Sequence, residues 1–119
     1  MKPIFKPQTE WLPPQDFPDL SDYSEIAIDL ETKDPDLKTI GSGSVVGRSK
    51  IVGIAVAVQD WKGYYPIEHE GGGNMDKNMV LKWFQDVLNT ESIKIFHNAM
   101  YDVCFIRAAG LKINGTIVD

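Results

Sequence analysis

Apolar positions fall along this chain first in short β-branched runs and later in helix-spaced stripes. Ile26, Ala27, Ile28 and Leu30 make a run too short for a helix, which predicts a strand over Ser24–Thr32 with both faces covered. Ile51–Val58 is the most apolar segment and predicts a second strand, with a turn at Asp60–Gly63 and a returning strand at Tyr64–Ile67. Together these form a three-strand meander. From Asp76 to Leu88 the residues Met79, Val80, Trp83, Phe84, Val87 and Leu88 recur at three- and four-residue spacing. This predicts an amphipathic helix with its stripe in the core and Asn74 or Asp76 as N-cap. Ile93–Phe96 reads as a fourth strand. His97-Asn98 opens a second helix that ends near Gly110, and a turn at Asn114-Gly115 leads to a strand stub, Thr116–Val118.

Two stretches break this pattern. Residues 1–20 hold Pro3, Pro7, Pro13, Pro14 and Pro18, too many for a helix or a central strand, and read as an extended arm that Trp11, Leu12, Phe17 and Leu20 pin to the rest. Lys33–Arg48, with Pro35, Gly41, Gly43 and Gly47, is a long loop made basic by Lys33, Lys38, Arg48 and the adjoining Lys50. The division that follows is an arm over 1–20 and one domain over 21–119.

Composition narrows the class without choosing a function. The 119 residues are 43% hydrophobic and 24% charged, as in ordinary globular proteins. The single cysteine, Cys104, excludes an internal disulfide, suits a reducing cytoplasm, and reads as a small core residue. No apolar run is long enough for a membrane span and the first residues lack a secretory pattern, so no membrane partner is expected. The net charge of −5 argues against a protein that coats nucleic acid through basicity. That acidity is local: residues 1–36 carry nine acidic and three basic side chains, the remainder eight and nine.

The candidate chemistry lies in the acidic half and one later helix. Asp29 and Glu31 are two apart on a strand, so both point to one face at its C-terminal end, where ligands of α/β sheets collect. Adjacent anions repel unless a cation lies between them, and oxygen ligands with phosphate substrates favour Mg²⁺ or Mn²⁺. Asn98 and Asp102 are four apart on one helical face near a helix N-terminus. His69, between Glu68 and Glu70 and before three glycines, reads as a surface loop residue. No phosphate-binding glycine loop, zinc spacing or serine nucleophile elbow occurs.

Strand-Asp29-x-Glu31 followed by strand-His97-Asn98-x-x-x-Asp102-helix resembles the DEDD superfamily of 3'-to-5' exonucleases, which have a ribonuclease H-like fold. Ile28-Asp29-Leu30-Glu31-Thr32, Ile51-Val52-Gly53-Ile54, Tyr65-Pro66-Ile67, His97-Asn98-Ala99-Met100-Tyr101-Asp102 and Asp119 are similar in order to the proofreading domain of family A DNA polymerases, particularly phage-encoded ones. The resemblance covers residues 20–119. It implies an α/β, ribonuclease H-like mixed sheet, a three-strand meander followed by β-α-β-α, truncated at its C-terminal side. It also implies a two-metal-ion 3'-5' exonuclease that hydrolyses the terminal phosphodiester of single-stranded DNA to a nucleoside monophosphate.

By the same resemblance Asp29 would bridge two Mg²⁺ or Mn²⁺ ions, Glu31 would bind the ion holding the attacking water, and Asp102 would reach the second ion. Thr32 and Asn98 would contact the terminal nucleotide, and Leu30 or Tyr101 would pack on its base or sugar. The implied partners are a single-stranded DNA 3' end and the remainder of a DNA polymerase, in the host cytoplasm if the source is viral. The family's fourth acid, four residues after a Tyr or His on a later helix, has no counterpart after Asp102. Asp119 corresponds to the strand before that helix and is not its replacement. The alternative is therefore a catalytically incomplete nucleic-acid-binding domain or fragment. A haloacid dehalogenase-type phosphatase is disfavoured, since Asp29-Leu30-Glu31-Thr32 lacks the second Asp of that motif.

Overall fold

A computed structural model describes residues 16–33 and 50–119. The strands are β1 (Glu25–Lys33), β2 (Lys50–Val58), β3 (Trp61–Pro66), β4 (Ile93–Phe96) and β5 (Ile117–Val118), and the helices are α1 (Lys77–Leu88) and α2 (Ala99–Ala108). They build one mixed sheet in the order β3-β2-β1-β4-β5. β1, β2 and β3 run antiparallel, whereas β4 pairs parallel to β1 and β5 parallel to β4. The expected three-strand meander is followed by α-β-α-β, compatible with a ribonuclease H-like fold.

Alternation along the strands separates the two faces of the sheet. Ile26, Ile28, Ile54, Val56, Tyr65 and Phe96 point to the side of the helices and form one core with Val80, Phe84, Val87, Leu88, Phe105 and Ile106. Ala27, Asp29 and Glu31 alternate with the buried positions of β1 and are exposed. β1 is thus half-buried among the described residues, not covered on both faces as its apolar run suggested; the small side chain of Ala27 leaves its side of the strand open.

The connections are short and locally capped. Only Gln59 and Asp60 separate β2 from β3, and Trp61 already belongs to the returning strand, so the hairpin is tighter than the sequence implied. Asp76 caps α1 by accepting from the Met79 amide at 3.0 Å. Asn74 instead exchanges two hydrogen bonds with the backbone of His69 and closes the loop between β3 and α1. Gly110 follows α2 at φ 86°, the left-handed position that suits glycine.

Residues 16–20 lie against the core. Phe17 stacks on Tyr65 with ring centroids 5.5 Å apart, Leu20 is buried, and the Trp83 indole donates to the Pro18 carbonyl at 2.8 Å. The other arm positions, including Trp11 and Leu12, and the loop over 34–49 with Lys38 and Arg48 lie outside the described residues. Two burial expectations are corrected. Met79 is 57% exposed at the edge of the α1 stripe, and Cys104 sits on the exposed side of α2. Lys94 is fully buried, its ammonium donating to the carbonyls of Thr90 and Asn114 (2.9 Å to the latter).

Candidate functional site

β4 stops at Phe96, level with Ile28, while β1 runs on to Lys33. The head of α2 fills the space beside the free end of β1. Asp102, in the first turn of α2, is 3% exposed there, and the Leu30 amide of β1 hydrogen-bonds its carboxyl. The other carboxyl oxygen, Oδ2, is buried without a hydrogen-bond partner. Burial first, and then the charge of Asp29, raise this acid from 3.8 to about 6; the Leu30 amide and His97 oppose the rise and Asp119 adds to it. A buried carboxylate with an orphaned oxygen beside a second carboxylate fits a divalent cation, which would supply the missing partner and relieve the repulsion.

The other sequence-derived positions surround this pair. Thr32 Oγ1 lies 3.0 Å from the Tyr101 hydroxyl, which joins the end of β1 to α2. Tyr101 packs on Phe105 at 4.7 Å, and Leu30 is partly buried against the core. Asn98 is the N-cap residue of α2, exposed, with no side-chain capping bond. That task falls to Asp119, whose Oδ1 accepts from the Ala99 amide at 2.9 Å. Asp119 therefore borders the site as a cap of its helix.

Glu31 is held differently. A register shift in the β1–β2 ladder falls between Glu31 and Thr32, and Glu31 pairs with Gly53. The Tyr64 ring of β3 crosses β2 over that glycine; a Cβ on residue 53 would sit 1.8 Å from its hydroxyl. There the Tyr64 phenol meets Glu31 and, at 2.6 Å, His69 Nε2, which is 3.3 Å from Glu31 Oε1. Burial and the Glu31 carboxylate push the phenol up to about 12, so it stays a neutral donor. His69, read from sequence as a surface loop residue, thus touches Glu31. The available signal was Gly53 inside the most apolar strand, which marks a close approach of another group.

Among the described residues no three His, Cys, Asp or Glu side chains are already gathered as a metal-binding set. A trough of about 650 Å³ opens on the exposed sheet face, lined by Ala27, Asp29, Ala55, Ala57, Tyr64 and His97 among others. Its alanines leave room next to Asp29. No described helix is long and apolar enough to cross a membrane.

No protein-family model matches the chain. Over 116 residues it is 35% identical to a DNA-directed DNA polymerase of Pseudomonas phage M6, a match that takes in 87% of this chain and 16% of that polymerase. The chain thus spans a small part of its relative's length, and what it is similar to is one portion of a phage DNA-directed DNA polymerase.

Proposed function

We propose that this chain is the metal-dependent 3'-5' exonuclease module of a DNA polymerase and removes terminal nucleotides from single-stranded DNA. The observation that carries the reading is Asp102, buried with one oxygen unpartnered, its proton affinity raised by that burial and then by the neighbouring charge of Asp29. A carboxyl arranged in this way costs stability, and a cation-binding role accounts for the cost. Similarity to part of a phage polymerase supports a polymerase-associated setting.

Asp29, Glu31 and Asp102 would hold Mg²⁺ or Mn²⁺. When bound, two such ions supply an activated water and neutralise charge on the scissile phosphate and its leaving oxygen. The chain's own groups would orient the DNA end. The Thr32–Tyr101 hydroxyl pair presents donors beside β1, and exposed Asn98 presents an amide at the head of α2. Leu30 and the Tyr101 ring would offer apolar contact to the terminal nucleoside.

One observation favours the second reading, a nucleic-acid-binding module without turnover: three ligands are not gathered in advance among the described residues. A gel assay of end-labelled single-stranded DNA with Mn²⁺ separates the two. Stepwise shortening from the 3' end that Asp29→Ala abolishes supports the exonuclease. Binding without shortening supports the second reading. Neither binding nor shortening overturns both. Binding should weaken modestly with salt, with exposed Arg107 among the contributing cations and buried Lys94 excluded.

A further inference from the structure

We propose that Tyr64 and His69 are positioning residues for Glu31, fixing its carboxylate on the open face of the sheet so that its remaining lone pairs are presented toward Asp29. The inference rests on the metal-dependent reading of that carboxylate.

Three independent features converge on Glu31. The first is Gly53, directly opposite in the ladder, whose missing side chain lets the Tyr64 ring cross an intervening strand. The second is the register shift beside Glu31, which re-aims the strand at that residue. The third is the loop after β3, which is braced so that His69 is left for this contact. Its flanking acids are engaged elsewhere, Glu68 with Lys50 at 3.3 Å and with Lys77, and Glu70 with Lys33. Asn74 clamps the His69 backbone through both its amide and its carbonyl.

The hydrogen-bond inventory fixes the direction of the contacts. An ionised Glu31 only accepts, so the single Tyr64 proton goes to it. His69 Nε2, 2.6 Å from the phenol oxygen, then donates to Tyr64, with Glu31 Oε1 close behind at 3.3 Å. Tyr64 as donor to the carboxylate, itself held by His69, with the imidazole close to Oε1 on the same side, restricts the rotation of Glu31. Stability alone explains little of this arrangement. The Glu31 side chain is 56% exposed, and pairs of that kind contribute about 0–1 kcal/mol. Holding a ligand through its outer partners is a recurrent way to set metal affinity, and loss of such a partner weakens binding roughly 10–100-fold.

The test uses the 119-residue chain, Tyr64→Phe, His69→Gln and Glu31→Gln, each checked for an unchanged thermal midpoint. NMR couplings and relaxation of the Glu31 methylenes, without metal, report its rotamer. One rotamer is expected in the parent chain, and averaging in Tyr64→Phe and His69→Gln. An averaged Glu31 in the parent, or one unchanged by both substitutions, overturns the proposal. Mn²⁺ titration by calorimetry then reads the consequence. Roughly tenfold weaker binding in each variant is expected, with no further loss when either is added to Glu31→Gln. Parent-like Mn²⁺ affinity in both single variants also overturns it. A fixed Glu31 rotamer that both variants release, in a chain that binds no Mn²⁺, upholds the positioning contact and removes only the metal-dependent reading.

Discussion

Asp102 at the head of α2 and Asp29 on β1 repel each other across the end of β4, and the buried member of the pair carries the consequence. Raised to about 6 when folded against 3.8 otherwise, by burial first and by this repulsion second, the Asp102 carboxyl binds its proton more tightly in the native state. An acid shifted upward favours the fold while protonated. Its contribution is therefore fully present below about pH 4, declines through the interval to about 6, and is absent above it.

Asp102→Asn should remove that dependence. Relative to the parent chain, the variant should gain little below pH 4 and roughly 2–3 kcal/mol above pH 6, because a shift of one unit corresponds to about 1.4 kcal/mol. Urea unfolding at pH 4, 5, 6 and 7.5 measures the difference directly. A difference that stays flat across the series would show that Asp102 is not protonated preferentially in the fold.

Asp29→Asn acts on the same pair from the exposed side. Loss of its charge should stabilise the metal-free chain at neutral pH by relieving Asp102. Mg²⁺ or Mn²⁺ should raise the melting temperature of the parent, since a ligand at about 100 times its dissociation constant adds about 2.7 kcal/mol to a native state that alone binds it. The variant should lose most of that rise. Calorimetric melts with and without metal provide the comparison, and an equal rise in both proteins would place the ion away from Asp29.

Lys94 gives a prediction outside the site. Its ammonium closes the segment after α1 onto the turn before β5 through the Thr90 and Asn114 carbonyls, and burial lowers its proton affinity. Lys94→Met keeps the length of the side chain but leaves both carbonyls without this donor, at a cost of about 1–3 kcal/mol per buried group. Arg107→Met, on an exposed position of α2, should stay within about 0.5 kcal/mol. Chemical denaturation of the two variants side by side is sufficient. Equal stabilities would mean that the Lys94 contacts contribute nothing.

The strand and helix positions were legible because apolar period and capping chemistry are local properties. Ile93–Phe96 falls where its apolar run places it, and Asp76 and Gly110 bound their helices as expected. The alternation that puts Asp29 and Glu31 on one side of β1 is likewise local. Burial was less legible. An alanine fits either an open or a covered face, as Ala27 does, and a lysine can be buried when two carbonyls meet it, as Lys94 is. The surroundings of Glu31 were beyond local pattern altogether. They depend on a register shift, on a ring that reaches across a strand, and on a loop residue far along the chain.

The parallel pairing of β4 with β1 also bears on the order in which the fold assembles. β2 and β3 are joined by a two-residue turn, whereas the contact of Asp102 with β1 needs β4 in place beside β1 and α2 over the sheet. Contacts between distant chain segments carry the larger loop-closure cost and tend to form late. On that ground the repulsion between Asp29 and Asp102 is expected to be felt after the rate-limiting step. Its relief, by a proton, a substitution or a cation, should slow unfolding while leaving refolding nearly unchanged. The feature that burdens the equilibrium would thereby govern how long a folded molecule lasts.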